Sequence, residues 1–541
     1  MAEKIPARPI ARAGTAFHLL KVLVLAGVYF TSAKWGLSLS AVSRVATAIW
    51  PPSGIALAIL LVFGRGLWPG VTLGAFLVNV SIGVPIPGAL GMAVGNTLEP
   101  WIASYLLGEL LNFGVHLDRV VDVVKLIGVG ALFSTLISAT GGVLSGILSG
   151  MISSGDMLAA WRTWWIGDMM GVLIVTPPLV VWCSSFSQSK NIGTRINARQ
   201  ALEVSLLFLV LIFVTLSVFL EWFGRAPESF FHPYYLFPLL SWAALRFEQR
   251  TVTVGVLIAS LVSVWSTLRG HGPYAAAPLN ESLPLLETFN GVLAITALLL
   301  SATNMERRRA LRAKDEFLSI ASHELKTPLT AMKMHLQLFQ RNLKMGRAPN
   351  LTLEAIQAMV QSTDRQLDRL VDLVDKMLDI SRISIGKFAL QTERLDLSQL
   401  VHEVVERFLP QIRAEDGKIE EDLQPAIMGD WDRLRLEQVV TNLISNAQKY
   451  GGHRGIRITT RSEGQLARLQ VEDHGIGIAA EDISRIFGRF ERAISAQHIS
   501  GMGLGLYISR QIIDAHHGSI SVRSGLGKGS TFTVELPLVR E

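Results

Sequence analysis

Ten apolar runs follow one another over the first 304 residues of this 541-residue chain, near 17–39, 47–64, 67–85, 88–111, 125–149, 165–183, 201–224, 234–247, 251–269 and 283–304. An apolar helix of about 17–25 residues spans a bilayer, so a chain that repeats such runs has no soluble fold open to it over this half. The second, third and eighth runs are short or begin at Trp-Pro or Pro, and eight to ten spans are expected. Charge divides the chain at the same place. Residues 1–300 hold 30 Asp, Glu, Lys and Arg side chains, whereas residues 301–541 hold 64, an ordinary globular density. A single soluble enzyme is excluded, and so is a transporter with a token tail. The net charge of +6 divides into +4 and +2, which leaves no concentrated basic footprint for nucleic acid. Cys183 is the sole cysteine, which excludes an internal disulfide and a multi-cysteine metal site.

Basic residues orient a membrane protein, because cytoplasmic loops are enriched in Lys and Arg. Lys4, Arg8 and Arg12 precede the first run, Lys190, Arg195 and Arg199 lie in the 184–200 loop, Arg246 and Arg250 flank the next turn, and Arg307, Arg308 and Arg309 follow the last run. Alternating through ten spans puts all of them on one side, while the intervening segment GHGPYAAAPLNES (270–282) has none. The tail 1–16 and everything after residue 304 are therefore expected in the cytoplasm. The first run is too long for a signal peptide and has no small-residue cleavage site. Within the runs stand Asn79, Asn96, Glu99, Asp168, Glu287 and Asn290. An ionisable group inside a bilayer marks a functional site by default, and Glu99 and Asp168 are the candidate sensing residues. The alternative is that these groups only bond helices to one another. The segments AIWPPSGIALAILLVFGRGLWPGVTLGAFLVN (48–79), GNTLEP (95–100) and WWIGDMMGVLIVTPP (164–178) resemble the MASE1 integral-membrane sensor family over nearly all of 17–304. That resemblance implies a polytopic sensor fused to a cytoplasmic signalling output, with an unknown sensory ligand.

From Ser301 the sequence turns charged without a Gly or Pro break, and helices are expected at about 305–343 and 351–384. A continuous helix rises 1.5 Å per residue, which would carry His323 roughly 25–30 Å below the membrane surface. Ile356, Val360, Thr363, Leu367, Leu370, Val374, Met377 and Ser381 alternate spacings of four and three. This is a heptad seam, and a second copy of the hairpin would close it as a four-helix bundle. His323 is followed by Glu324, Thr327 and Pro328. Thr327 lies one turn on, over the same face; Pro328 removes a helical donor and bends the helix just past the histidine. Glu324 can accept the imidazole N–H and raise the nucleophilicity of the other nitrogen.

Residues 391–541 read as a mixed α/β sandwich, with helices at 396–415, 430–450, 480–488 and 503–517 and strands at 455–461, 466–472, 518–524 and 530–536. Asn442, Asn446, Lys449 and Tyr450 share one face of the second helix, opposite Leu443, Ile444 and Ala447. Such a polar stripe suits a nucleotide with magnesium: an amide oxygen for the hard cation, an ammonium for phosphate and a ring for the base. Asp473 at a strand end can accept an adenine amine, with Gly475 and Gly477 letting backbone approach the ring. Gly501, Gly503 and Gly505 open a helix whose N–H groups form an anion site. A lone glycine triplet would also fit a dinucleotide domain, but no strand-then-GxGxxG unit and no GxxxxGK[ST] segment is present.

In this order the motifs, with Ile486-Phe487-Gly488-Arg489-Phe490-Glu491-Arg492, resemble a sensor histidine kinase of two-component systems over about 310–541. The resemblance implies a dimerisation and phosphoacceptor hairpin (305–385) and a GHKL-type ATP-binding domain (391–541). It makes His323 the phosphoacceptor, Glu324 its general base, Asn446 the magnesium ligand, Asn442 and Lys449 its neighbours at metal and phosphate, Tyr450 the base-stacking ring and Asp473 the adenine acceptor. Gly501, Gly503 and Gly505 become hinge and phosphate cradle. Gly451 and His474 depart from the family's usual small hydroxyl residue and Asn, without removing a ligand. The expected protein is a homodimer of the bacterial inner membrane that uses ATP and Mg2+, phosphorylates His323, hands the phosphoryl group to an aspartate of a separate response regulator, and binds no nucleic acid. The rival readings are a GHKL ATPase that drives conformational change, and a transporter with a regulatory ATP-binding tail.

Overall fold

The computed structural model describes residues 15–38, 49–188, 198–222, 232–275, 279–344, 352–384, 390–414, 417–451, 455–489, 491 and 503–538. The chain divides into two units, Met1–Asp315 and Glu316–Glu541.

In the first unit each of the ten apolar runs is helical. The helices are α1 (Thr15–Ser38), α2 (Pro51–Phe63), α3 (Trp68–Ser81), α4 (Ile86–Tyr105), α5 (Val120–Lys125), α6 (Thr135–Leu148), α7 (Met157–Gln188), α8 (Ala198–Phe219), α9 (Leu236–Arg246), α10 (Gln249–Leu268) and the start of α11 (Leu279–Lys344). Wider π-type turns at Leu126–Phe133 join α5 to α6. Among the described residues, six helical segments are long and apolar enough to cross a membrane: Ala16–Ser38, Val120–Leu148, Ser154–Ser184, Ala198–Phe219, Gln249–Leu268 and the one that begins at Ser282. The larger count of eight to ten arises from the short helices, of which α2 and α3 start at prolines in their first two positions. The unit is that of a multi-pass membrane protein. Its outer faces fit that reading, since Leu19, Leu20 and Leu23 of α1 and Leu202, Leu206 and Leu209 of α8 are exposed.

Without a hydrophobic drive in lipid, helices associate by close packing over small residues. A Cβ on Gly54 of α2 would lie 2.2 Å from the Gly171 carbonyl oxygen of α7, and one on Gly171 would lie 2.1 Å from that of Trp50. These two backbones therefore touch, and no larger residue fits at either position. Where α11 leaves the apolar region, polar side chains fasten it. Asn304 Nδ2 donates to the carbonyls of Ala244 (3.0 Å) and Leu245 (2.9 Å), Glu306 Oε1 accepts from the Val120 N–H (3.1 Å), and Arg309 pairs with Asp118. Lys190 and Arg195 of the basic loop lie outside the described residues.

The second unit holds the rest of α11, then α12 (Leu353–Ser384), β1 (Glu393–Asp396), α13 (Leu397–Ala414), β2 (Ile419–Leu423), β3 (Met428–Trp431), α14 (Arg433–Tyr450), β4 (Ile456–Glu463), β5 (Leu466–Asp473), α15 (Gly505–Ala515), β6 (Ser519–Gly525) and β7 (Gly529–Pro537). The main sheet runs β2-β4-β5-β7-β6, and β1 pairs with β3 apart from it. Only β2 and β4 are parallel. Strand side chains alternate between faces, so Ala467, Leu469 and Val471 of β5 point into one core with Phe532 and Val534 of β7. Val401 and Val404 of α13, Leu443 and Ile444 of α14, and Ile508 and Ile512 of α15 close that core.

Residues 480–488, expected as a helix, form successive turns instead. Asp482 N donates to Ala479 O, Arg485 N to Asp482 O and Gly488 N to Arg485 O. The adjacent Ile486 and Phe487 are both buried there, which a chain of tight turns allows. The strands β1, β2 and β3 are additional to the expected set.

Asp432 starts α14: its Oδ1 accepts from Arg435 N (3.1 Å) and its Oδ2 from Gln391 N (2.8 Å). Its own N–H donates to His516 Nε2 at 2.9 Å, while His516 Nδ1 lies 2.8 Å from the Ile512 carbonyl. The ring must carry its proton on Nδ1 and accept on Nε2, so it is held neutral. Burial pushes the imidazole below its ordinary value. A histidine depressed in the fold contributes stability in full above its ordinary value of about 6.5, and loses it as pH falls through the lowered one. Urea unfolding of residues 305–541 is expected to weaken as pH falls below about 6.5. His516→Phe is expected to lose about 1–3 kcal/mol at neutral pH and to flatten that slope; an unchanged slope would refute the assignment.

Candidate active site

The parity of β5 sets the first element of the site. Its last residue, Asp473, falls on the same face as Ala467, Leu469 and Val471, and a carboxyl is thereby carried to the edge of an apolar core, 5% exposed. Asp473 Oδ1 accepts from the Gly475 N–H at 2.9 Å, and the Ser530 backbone also donates to the carboxyl. Burial pushes this carboxyl above the usual carboxylate range, and the two backbone donors pull it back.

Two glycines allow the chain to fold back against this carboxyl. A Cβ on Gly475 would stand 1.8 Å from the Tyr450 carbonyl oxygen. Gly477 has a φ of +68°, and its Cβ would meet the Gly525 oxygen at 2.0 Å. The loop after β5 is thus held against the end of α14, with Ile476 N donating to Tyr450 O at 3.2 Å.

α14 supplies the polar face. Val439, Val440, Leu443, Ile444 and Ala447 are buried, which leaves Asn442, Asn446 and Lys449 on the other side of the helix. Asn442 Nδ2 donates to Ser509 Oγ of α15 at 2.9 Å, and its Oδ1 occupies the space a Cβ on Gly505 would need, 2.1 Å away. The Asn442 Nδ2 thus ties α14 to α15. Asn446 is half-buried, Lys449 is exposed, and the Tyr450 ring packs against the core. Gly503, with a φ of +66°, and Gly505 lead into α15, whereas Gly501 lies outside the described residues. Of the 486–492 segment, Phe487 is buried beneath the Arg510 guanidinium (5.9 Å to the ring centre) and Arg489 lies over the Tyr507 ring at 4.9 Å. Phe490 and Arg492 also lie outside the described residues.

These groups fit a purine nucleotide and a hard cation. Asp473 offers an acceptor recessed at the sheet end, Gly475 and Gly477 leave no side chain between it and a ring, and the Asn446 amide is an oxygen ligand of the type a hard cation takes.

His323 stands on α11 with its side chain 81% exposed, and its Nδ1 is 3.8 Å from Glu324 Oε1. Thr327 Oγ1 donates back to the His323 carbonyl at 3.1 Å. The helix is continuous through Pro328, whose missing N–H leaves the Glu324 carbonyl without its helical donor.

Asp379, on α12, escaped sequence reasoning. Its Oδ1 accepts from Arg435 Nη1 (2.8 Å) and its Oδ2 from Gln438 Nε2 (2.9 Å), so α12 is bonded to the first turns of α14. The only signal was an acid among the apolar positions of α12, and nothing in the sequence named its distant partners. Ser509 and His516 were missed for the same reason.

In the membrane unit Glu99 and Asp168 are brought together: Ser53 Oγ lies 3.3 Å from Glu99 Oε2 and 2.9 Å from Asp168 Oδ1. Asn96 Oδ1 accepts from Ser138 Oγ at 2.7 Å. Asn79 donates to the Ala75 carbonyl of its own helix (2.8 Å), whereas Asn290 donates to Ser263 of α10 (3.0 Å), which fits the helix-bonding reading for Asn290. Glu287 is buried on α11.

Comparison with known proteins agrees with this division. The MASE1 family model matches residues 22–308, the His Kinase A (phospho-acceptor) domain model residues 313–386, and the model for histidine kinase-, DNA gyrase B- and HSP90-like ATPases residues 431–540. The alginate biosynthesis sensor protein KinB of Pseudomonas aeruginosa is 33% identical over 46% of this chain and 41% of its own length. The sensor histidine kinase WalK of Bacillus subtilis is 31% identical over 44% of this chain and 38% of its own. Among solved structures, the histidine kinase AdeS of Acinetobacter baumannii is 28% identical over 40% of this chain and 98% of that one, with a TM-score of 0.33. The chain spans about four-tenths of the length of the two sequence relatives. It belongs to the MASE1 family, with the phosphoacceptor and ATPase domains of sensor histidine kinases following in order.

Proposed function

We propose that this protein is a membrane-bound sensor histidine kinase that uses ATP and Mg2+ to phosphorylate His323 and passes the phosphoryl group to an aspartate of a separate response regulator. The observation that carries the nucleotide half is Asp473, recessed at the end of β5 beside two glycines whose close contacts exclude any side chain. The phosphoacceptor half rests on an exposed imidazole with a carboxylate 3.8 Å from one ring nitrogen.

In this reading residues 17–304 sense, 305–385 carry the histidine and 391–541 bind ATP, with both of the latter in the cytoplasm. Asn446 holds the magnesium ion, which when bound neutralises phosphate charge. Lys449 adds a cation at the phosphates, and Tyr450 stacks on the base. Glu324 holds the Nδ1 side of His323 and takes its proton, so that Nε2 attacks. A bond forms from Nε2 to the γ-phosphorus as the bond to the β-γ bridging oxygen breaks and ADP leaves. Positioning supplies most of the acceleration in such a transfer. The N–P bond is then exchanged for an O–P bond on the regulator's carboxylate. Val360, Leu367, Val371, Val374 and Leu378 of α12 are exposed at heptad spacing, which supports a homodimer closed through this stripe.

His323→Gln is expected to abolish acid-labile, alkali-stable labelling from radioactive ATP while nucleotide binding stays unchanged; retained label would refute the phosphoacceptor. Asp473→Ala is expected to weaken binding of a fluorescent ATP analogue about 10–100-fold. An ionised carboxylate is a stronger acceptor for the adenine amine than a neutral carboxyl, so affinity of the wild type should also fall with acid from above the usual carboxylate range, and a pH-independent affinity would count against the role. Thr327→Ala is expected to keep autophosphorylation and to slow dephosphorylation of the regulator, because the Thr327 hydroxyl lies one turn from the phosphoacceptor and can position a water. Equal dephosphorylation rates would defeat that assignment.

A further inference from the structure

The kinase reading leaves Glu99 and Asp168 without a role. They come from α4 and α7, are each 1% exposed, and share the hydroxyl of Ser53 on α2. That hydroxyl has a single hydrogen and satisfies one carboxyl oxygen at most. Among the described residues Glu99 Oε1 and Asp168 Oδ2 have no hydrogen-bond partner, and neither do the Tyr29 hydroxyl of α1 and the Trp50 indole N–H. Tyr29 is fully buried and lies within the field of both acids. Trp50 is tied in by its backbone N–H, which donates to the Gly167 carbonyl at 2.9 Å, one residue before Asp168.

Buried polar groups are almost always bonded, and acids in a membrane interior pair with cations or mark an ion site. Here each of the two acids keeps one buried oxygen that no donor among the described residues reaches. No Lys, Arg or His acts on either acid among the described residues. The other polar groups nearby are already engaged: Trp164 Nε1 donates to Ser138 Oγ at 3.2 Å, and Ser138 donates to Asn96 Oδ1. Two orphaned carboxyl oxygens with no basic side chain at hand call for an occupant that is positive and suited to oxygen ligands.

We infer that Tyr29, Ser53, Glu99 and Asp168 form an intramembrane binding site for a small alkali cation of sodium's size. Calcium takes six to eight oxygens, often including backbone carbonyls. The described residues contain no group of three acidic, His or Cys side chains able to hold a metal. A single positive charge balances one ionised carboxyl, while the second acid keeps its proton and donates it within the cluster. Ligands from α1, α2, α4 and α7 meet at this point, so occupancy ties four helices together.

The test uses the full chain in lipid nanodiscs and measures binding of radiolabelled sodium, independently of kinase activity. Wild type is expected to bind at a single saturable site, with unlabelled sodium and lithium competing and choline not competing. Glu99→Gln and Asp168→Asn are expected to weaken binding more than tenfold, about 1.4 kcal/mol or more. Tyr29→Phe, which removes one oxygen and keeps the ring, should weaken it several-fold, and it decides the matter if either amide variant fails to fold. Absence of saturable binding by wild type, equal competition by choline, or unchanged affinity in Tyr29→Phe together with the foldable amide variants would overturn the inference. A pair that takes up protons alone would give the first of these results.

Discussion

A carboxyl on an apolar face must find donors, and in the second unit the placement of Asp473 on the inward side of β5 organises everything near it. Val471 and Leu469 on the same face are 1% and 2% exposed, so the strand continues a dry surface up to the acid. The Gly475 and Ser530 backbones meet part of its requirement. The loop that brings Gly475 round can do so only by touching the end of α14 at Tyr450, which sets the carboxyl beside the helix that carries Asn446 and Lys449. A glycine at each contact is a consequence of that geometry, since any Cβ there would overlap backbone oxygen.

α14 is then the hub of the unit. Its start is fixed by Asp432 and His516, its first turns are held by Asp379 of α12, and its middle is bonded to α15 through Asn442 and Ser509. In the Asp379 contact the acid is buried and Arg435 half-buried, so removing Arg435 would leave a buried carboxylate bare. Any shift of α14 relative to α12 has to give up this contact or exchange it for another. Exchange between two paired arrangements is cheaper than leaving Asp379 and Arg435 unpaired in an intermediate position. The contact thus favours discrete docked positions over continuous sliding.

The sequence made the membrane runs, the two long helices and most of the ATP-binding domain legible because each has a strong period or sustained hydropathy. The short strands were not legible. β2 (Ile419–Leu423) has apolar residues only at its two ends, and it becomes a strand by pairing in parallel with β4 across an intervening helix. Residues 480–488 carry isoleucines at helical spacing, yet the burial of neighbouring Ile486 and Phe487 requires a tighter path. At the sites, motif spacing put forward Asp473, Asn446 and His323. Ser53, Asp379 and His516 escaped because their partners are 115, 56 and 84 residues away, and a lone Ser, Asp or His carries no local sign of such a contact.

α7 connects the buried acids to the last membrane helix. Asp168 lies in the cluster, and two residues on, Met170 packs close to Gly291 of α11, where an added Cβ would stand 3.7 Å from the Met170 sulfur. α11 is meanwhile fastened at its polar end by Asn304, Glu306 and Arg309. These bonds resist sliding along the helix axis, since each would lose its partner within an ångström or two. A tilt of α11 about that fastened end leaves these bonds in place and needs yielding at Met170, a flexible side chain against a glycine, and at the Asn290–Ser263 bond to α10. Of the motions open to α11, tilting is therefore the one that a shift of α7 drives at least cost.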